Sequence, residues 1–156
     1  EQAQSDWAAY LVVNGQCDSC HGLHYLQMAA EKLGKAALIR SAGTPEGLTG
    51  SHKAFVSLLR SLPRSGYLQK RLGMNGKELK AHVDTVLPTA YSIQKLAPAL
   101  AENGPNAEYP WQDPAGAIHA PASFNFPLTR ELQRPSGRRL LKLIGLMLSD
   151  FDGIFP

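Results

Sequence analysis

The chain has 156 residues, 44% of them hydrophobic, and a formal net charge of +3 at pH 7. That length fits one domain, at roughly 100–200 residues per domain, and no run approaches the ~18 consecutive apolar residues of a membrane-spanning helix. A soluble protein of one domain, residues 1–156, is expected rather than an integral membrane protein. With a pI near 9.0 the surface is mildly basic, short of the dense basic patches that nucleic acid requires, so nucleic acid is not an expected partner. Only two cysteines occur, Cys17 and Cys20. A pair this close bridges nothing beyond its own turn and cannot staple a fold, so its role is chemical.

Taken in chain order, the apolar residues mostly recur at helical spacing. Trp7, Tyr10, Leu11 and Val13 predict a first helix from Ser5 to Gln16, with Ser5 or Asp6 as its N-cap. Leu23, Leu26, Ala30 and Leu33 predict a second, from His21 to Leu33, stopped by Gly34. Residues 41–50, rich in Gly, Ser and Thr, read as a loop. Phe55, Leu58, Leu59 and Leu62 form an i, i+3, i+4, i+7 stripe on a third helix opening at Ser51 and closed by Pro63. A short helix over 64–72 follows, then the tight turn Gly73-Met74-Asn75-Gly76.

Asn75 and Glu78 form a capping-box pattern for a helix through Leu87, with Leu79, His82, Val83 and Val86 on one face. Pro88 predicts a fresh first turn and helix to about Ala101. Residues 103–137 carry six prolines and the aromatics Tyr109, Trp111, Phe124 and Phe126 without periodicity. They read as a long ordered loop that wraps the body or meets a partner. Ser136 is the candidate cap of a last, largely apolar helix over 138–149. The expected fold class is mostly α, with no convincing strand pair.

Cys17-Asp18-Ser19-Cys20-His21 is a C-x-x-C-H string, the attachment signature of c-type haem. Two thiols on one turn can add across two vinyl groups, and the adjacent imidazole is then placed to reach the iron. The string consumes every cysteine of the chain. Over residues 5–34, with Met74 by analogy, the sequence resembles the monohaem c-type cytochromes, whose small members also place this motif after a first helix and a methionine ligand later. The chain beyond about residue 88 has no counterpart in those small members.

The resemblance implies a cytochrome c-like helical domain around one covalent haem c, with a haem-binding core over about 5–101. It implies that Cys17 and Cys20 are the thioether residues and His21 the proximal iron ligand. For the distal position Met74 leads, because flanking glycines let backbone approach a flat cofactor. His82, His52 and His119 are the alternatives. His24 and Met28 leave the motif on the proximal side and read as second-shell and core residues, and Met147 reads as core. An open iron would mean gas or peroxide chemistry instead.

The implied function is one-electron transfer without substrate chemistry, as a soluble carrier or as the cytochrome subunit of a larger redox complex. The polar start, Glu1-Gln2-Ala3-Gln4, is where a processed secretory protein could begin, so an exported, periplasmic location is expected. From Lys35 to Lys80 nine Lys or Arg face only Glu46 and Glu78, a basic stretch suited to an acidic redox partner at the haem edge. Two rival readings use the same cysteines. A structural zinc would take Cys17, Cys20 and His21 or His24 with a remote histidine. A thiol–disulfide oxidoreductase would need a strand before the motif and a cis-proline at Leu87-Pro88-Thr89. No Gly-x-Ser-x-Gly elbow marks a serine hydrolase.

Overall fold

A computed structural model describes residues 1–43, 52–102 and 104–156. Among these the regular structure is almost entirely helical: α1 (Gln2–Val13), α2 (Ser19–Ala42), α3 (Ala54–Ser61), α4 (Gly66–Leu72), α5 (Gly76–Gln94), α6 (Pro98–Ala101), α7 (Pro127–Gln133), α8 (Pro135–Ser149) and α9 (Phe151–Ile154). Single 3₁₀ turns lie at Leu62–Arg64 and Pro121–Ser123, and a two-residue antiparallel pair joins β1 (Trp111–Gln112) to β2 (Ile118–His119). No described helix is long and apolar enough to cross a membrane.

The longest helix, α2, is the spine. The first helix folds back along it, and α3, α5 and the turn at Pro121–Ser123 pack on it; α5 in turn carries α7 and α8. Leu26 and Leu33 of α2, Phe55 and Leu59 of α3, Leu79 and Ile93 of α5, and Leu140, Ile144 and Met147 of α8 fill the shared core.

Asp6 corrects the expected start of α1. The helix begins at Gln2 and ends at Val13, and Asp6 lies inside it, buried, with Lys32 Nζ donating to its carboxylate at 2.6 Å. An acidic residue near a helix start mimics a cap in sequence, but here it fastens α1 to α2.

Gly34 corrects the expected stop of α2. The helix runs on to Ala42 and ends at Gly43, in the left-handed conformation with φ 74°. Position 34 is instead where α3 crosses: a Cβ there would lie 2.5 Å from the Phe55 nitrogen and 2.6 Å from the Ala54 carbonyl carbon. Residues 41 and 42 therefore belong to α2 rather than to a loop, while 44–50 and Ser51, the expected opening of α3, lie outside the described residues.

Local signals of the middle region hold. Phe55, Leu58, Leu59 and Leu62 are all buried. Ser65 caps α4, Gly73 closes it with φ 64°, and Asn75 and Glu78 make the reciprocal capping box at the start of α5. Pro88 does not restart the helix: α5 runs through it to Gln94. Pro88 and Asp84, whose carbonyl loses its i+4 donor, both lie on the exposed side, where water can serve that carbonyl. The chain breaks later, at 95–97, before α6.

The expected loop over 103–137 is partly structured. Pro121, Pro127 and Pro135 each occupy the opening of a helical turn or helix, where a fixed φ helps and no N–H is missed. The eighth helix accordingly starts at Pro135, with Ser136 inside its first turn, and only one side of it is buried: Arg138, Arg139 and Lys142 are exposed. Trp111 and Phe126 are buried, and Phe124 sits edge-on between them at 4.8 and 5.0 Å. The segment wraps the body.

Two measurements check these contacts. Gly34→Ala is expected to destabilise the protein by about 1–3 kcal/mol in urea melts, because backbone cannot yield as a side-chain end does. Gly66→Ala, at an open position in the first turn of α4, should be neutral or stabilising by up to about 1 kcal/mol. Equal stability of Gly34→Ala and wild type would contradict the close crossing.

Glu31 on α2 gives a pH dependence. Burial alone would raise its carboxyl, but Lys35, His52 and Gln27, at 2.6, 3.1 and 2.8 Å, outweigh this and hold it below its ordinary value. A lowered folded-state pKa stabilises above the unfolded value of about 4.3 and is lost as pH falls through the folded value. Acid titration of stability should show this loss in wild type and a flatter profile in Glu31→Gln; matching profiles would refute it.

Candidate cofactor-attachment site

The motif occupies the corner where α1 turns into α2. After Val13 the chain leaves the helix, Gly15 supplies the positive φ of 83° that the turn needs, and the Cys17 N–H donates to the Val13 carbonyl at 3.2 Å. Asp18 stands at the N-cap position of α2, so Cys17 lies just outside the helix while Cys20 and His21 lie in its first turn. The corner brings Asn14 against the start of α2: a Cβ at Gly22 would be in van der Waals contact with the Asn14 side chain at 3.4 Å.

This geometry separates the two thiols. Both are unpaired, but Cys17 is exposed and Cys20 is only 4% exposed within the core. Burial pushes the Cys20 thiol up, and the Asp18 charge adds to this, against a smaller lowering by backbone N–H groups of the first turn. The His21 ring is exposed, and among the described residues it has no hydrogen bond, ion pair or ring contact. One turn along α2, His24 faces Glu108 at 3.6 Å and meets the Tyr25 ring edge-on at 5.5 Å. The 103–137 segment thus comes down next to the motif.

The expected distal ligands are spread over other elements. Met74 is half-buried in the α4–α5 turn and packs against the core. His52 bonds Glu31 of α2. His82 on α5 is half-buried, its pKa lowered by burial and by the Arg139 charge of α8. His119 bonds Asp113 at 2.9 Å and stacks on Trp111 at 5.5 Å. Met147 is fully buried, as expected of a core residue, and Met28 is half-buried. None of these has a recorded side-chain hydrogen bond, ion pair or ring contact with His21 among the described residues.

The site therefore consists of Cys17, Cys20 and His21 on one corner. No family model matches this chain, nor does any curated protein or solved structure.

A c-type haem fits the donor set: two unpaired thiols three positions apart and, directly after them, an imidazole without a partner among the described residues. It also fits the neighbouring surface. Val12 in the last turn of α1 is 71% exposed, apolar area that a macrocycle would cover better than water does. That exposure has no sequence signature, because Val12 reads there as an ordinary helix position. Cys20 fits only if its thiol reacts before the first turn of α2 closes over it.

Other uses of the same thiols find less. Among the described residues no three His, Cys, Asp or Glu are gathered for a metal ion. A thiol-exchange site needs a strand leading into the motif, whereas α1 is a helix and Pro88 lies inside α5. In the folded cofactor-free chain, alkylation should label Cys17 at once and Cys20 only as fast as the protein opens. Equal labelling rates of the two thiols, followed by peptide mapping, would contradict the burial of Cys20.

Proposed function

We propose that this chain carries one covalently attached c-type haem at the α1–α2 corner and serves as a one-electron carrier, alone or as a subunit of a larger redox complex. The observation that carries this reading is the C-x-x-C-H string at a helix start, with both thiols unpaired and the His21 imidazole without a partner among the described residues. When bound, the group supplies a reversible one-electron ferric/ferrous couple.

The residues supply the rest. Each thiol would add its S–H across a vinyl double bond, which needs no oxidant and would leave Cys17 and Cys20 as thioethers. The His21 ring, on the turn that bears Cys20, would donate to the iron. Val12, four residues from Gln16 at the entry to the motif, would help to exclude water and so favour the less charged state of the couple. Attachment then precedes final closure of α2 over Cys20, as expected of a chain matured after export to a periplasm-like compartment.

Met74 remains the proposed distal ligand, on its place in a turn between two helices with Gly73 at positive φ and Gly76 opening the next helix. His82, His52 and His119 are its competitors. The purified protein should show the sharp α-band of a c-type haem, and its ferric form the weak long-wavelength sulfur-to-iron band of methionine ligation. Met74→Ala should abolish that second band while leaving the α-band. A second band that survives the substitution moves the ligand elsewhere; a colourless protein made in cells competent for haem attachment refutes the reading.

A further inference from the structure

Four of the nine cations in the expected basic stretch are paired with carboxylates in the fold. Lys35 pairs with Glu31, Arg40 with Asp152, Arg71 with Asp150 and Lys80 with Asp84, and Arg60 donates to the Tyr91 hydroxyl. A different surface keeps its charge. Arg130, Arg134, Arg138, Arg139 and Lys142, on α7, α8 and the junction between them, are all exposed, and none has a carboxylate partner among the described residues.

Arg134, Arg138 and Lys142 are four residues apart, so they line one side of α8 and repel one another, an arrangement unfavourable in an isolated helix. At the Lys142 end this row runs into an open groove of about 400 Å³ between α1 and α8, walled by Trp7, Leu11, Asn14, Leu141 and Lys142, with Gly145 as its floor. Gly145 keeps the floor low: a Cβ there would lie 3.7 Å from the Trp7 ring.

We propose that this cationic row and the groove beside it form a docking surface for an acidic amphipathic helix of a partner protein. The apolar side of such a helix would lie on Trp7, Leu11 and Leu141, and its carboxylates would meet Arg138 and Lys142. A shallow apolar groove that meets a cationic helix row at Lys142 suits a rod with an apolar stripe beside an acidic edge. The surface is independent of haem attachment, since it uses no residue of the motif.

The test uses the full chain and a labelled synthetic helical peptide with a Leu stripe flanked by Glu. The peptide should bind saturably, shift the emission of Trp7, which borders the groove while Trp111 is buried, and lose affinity as salt is raised. The triple variant Arg134→Glu, Arg138→Glu, Lys142→Glu should weaken binding at least about tenfold with unchanged helicity, and Leu11→Asp should do so separately. Arg64→Glu with Lys70→Glu, outside the surface, should leave binding unchanged. No binding, equal binding by the triple variant, binding of a Lys-for-Glu peptide as tightly, attachment to anionic vesicles but not to the peptide, or self-association through the groove would each overturn the proposal.

Discussion

Where α2 and α3 cross, the backbone of Ala54 and Phe55 fills the space that a side chain at position 34 would need. Glycine inside a helix costs about 1 kcal/mol relative to alanine, and here the cost is offset by a contact no other residue permits. Because α2 passes this crossing unbroken, it spans about 36 Å at 1.5 Å per residue and touches α1, α3, α5 and the Pro121–Ser123 turn. Its far half is clamped in the core, through Leu33 and the Glu31 network, and its near end carries the thiols and the imidazole. The Asp6–Lys32 pair sets α1 alongside, and that in turn fixes the corner at which Cys17 stays outside and Cys20 is drawn in.

Features legible in the sequence are those whose cause is local. The Phe55–Leu62 stripe, the Ser65 and Asn75 caps and the turn at Gly73 depend on residues within one or two helical turns, and each appears where its neighbours dictate. Gly34, Pro88 and Asp6 each have a local meaning, as stop, break or cap, that the folded surroundings override. Gly34 answers to α3, Asp6 to Lys32, and Pro88 is tolerated because Asp84, whose carbonyl it leaves without a donor, lies toward solvent. In the 103–137 segment the prolines start short elements too brief for any periodicity, and Trp111, Phe124 and Phe126 are held by one another.

The candidate site divides in the same way. Cys17, Cys20 and His21 are contiguous, so their shared corner is legible from spacing alone. The unequal burial of the thiols, the exposed Val12, and the approach of Glu108 to His24 arise from elements far apart in the chain. A distal ligand is the hardest to read, because four candidates lie on four elements and only tertiary structure around a bound cofactor chooses between them. Charge follows the same logic: nine cations over 35–80 look like one surface in sequence, yet four of them pair with carboxylates and Arg60 with a hydroxyl once the chain folds, while a separate row without carboxylate partners among the described residues lies on α7 and α8.

The proposed function turns on the fate of two sulfur atoms. Peptide mass spectrometry of the segment that spans Cys17 to His21, from protein made in cells competent for haem attachment, reads that fate directly. One haem in thioether linkage to both Cys17 and Cys20, with His21 unmodified, is the expected result; two free thiols, or a disulfide between them, would contradict the proposed function.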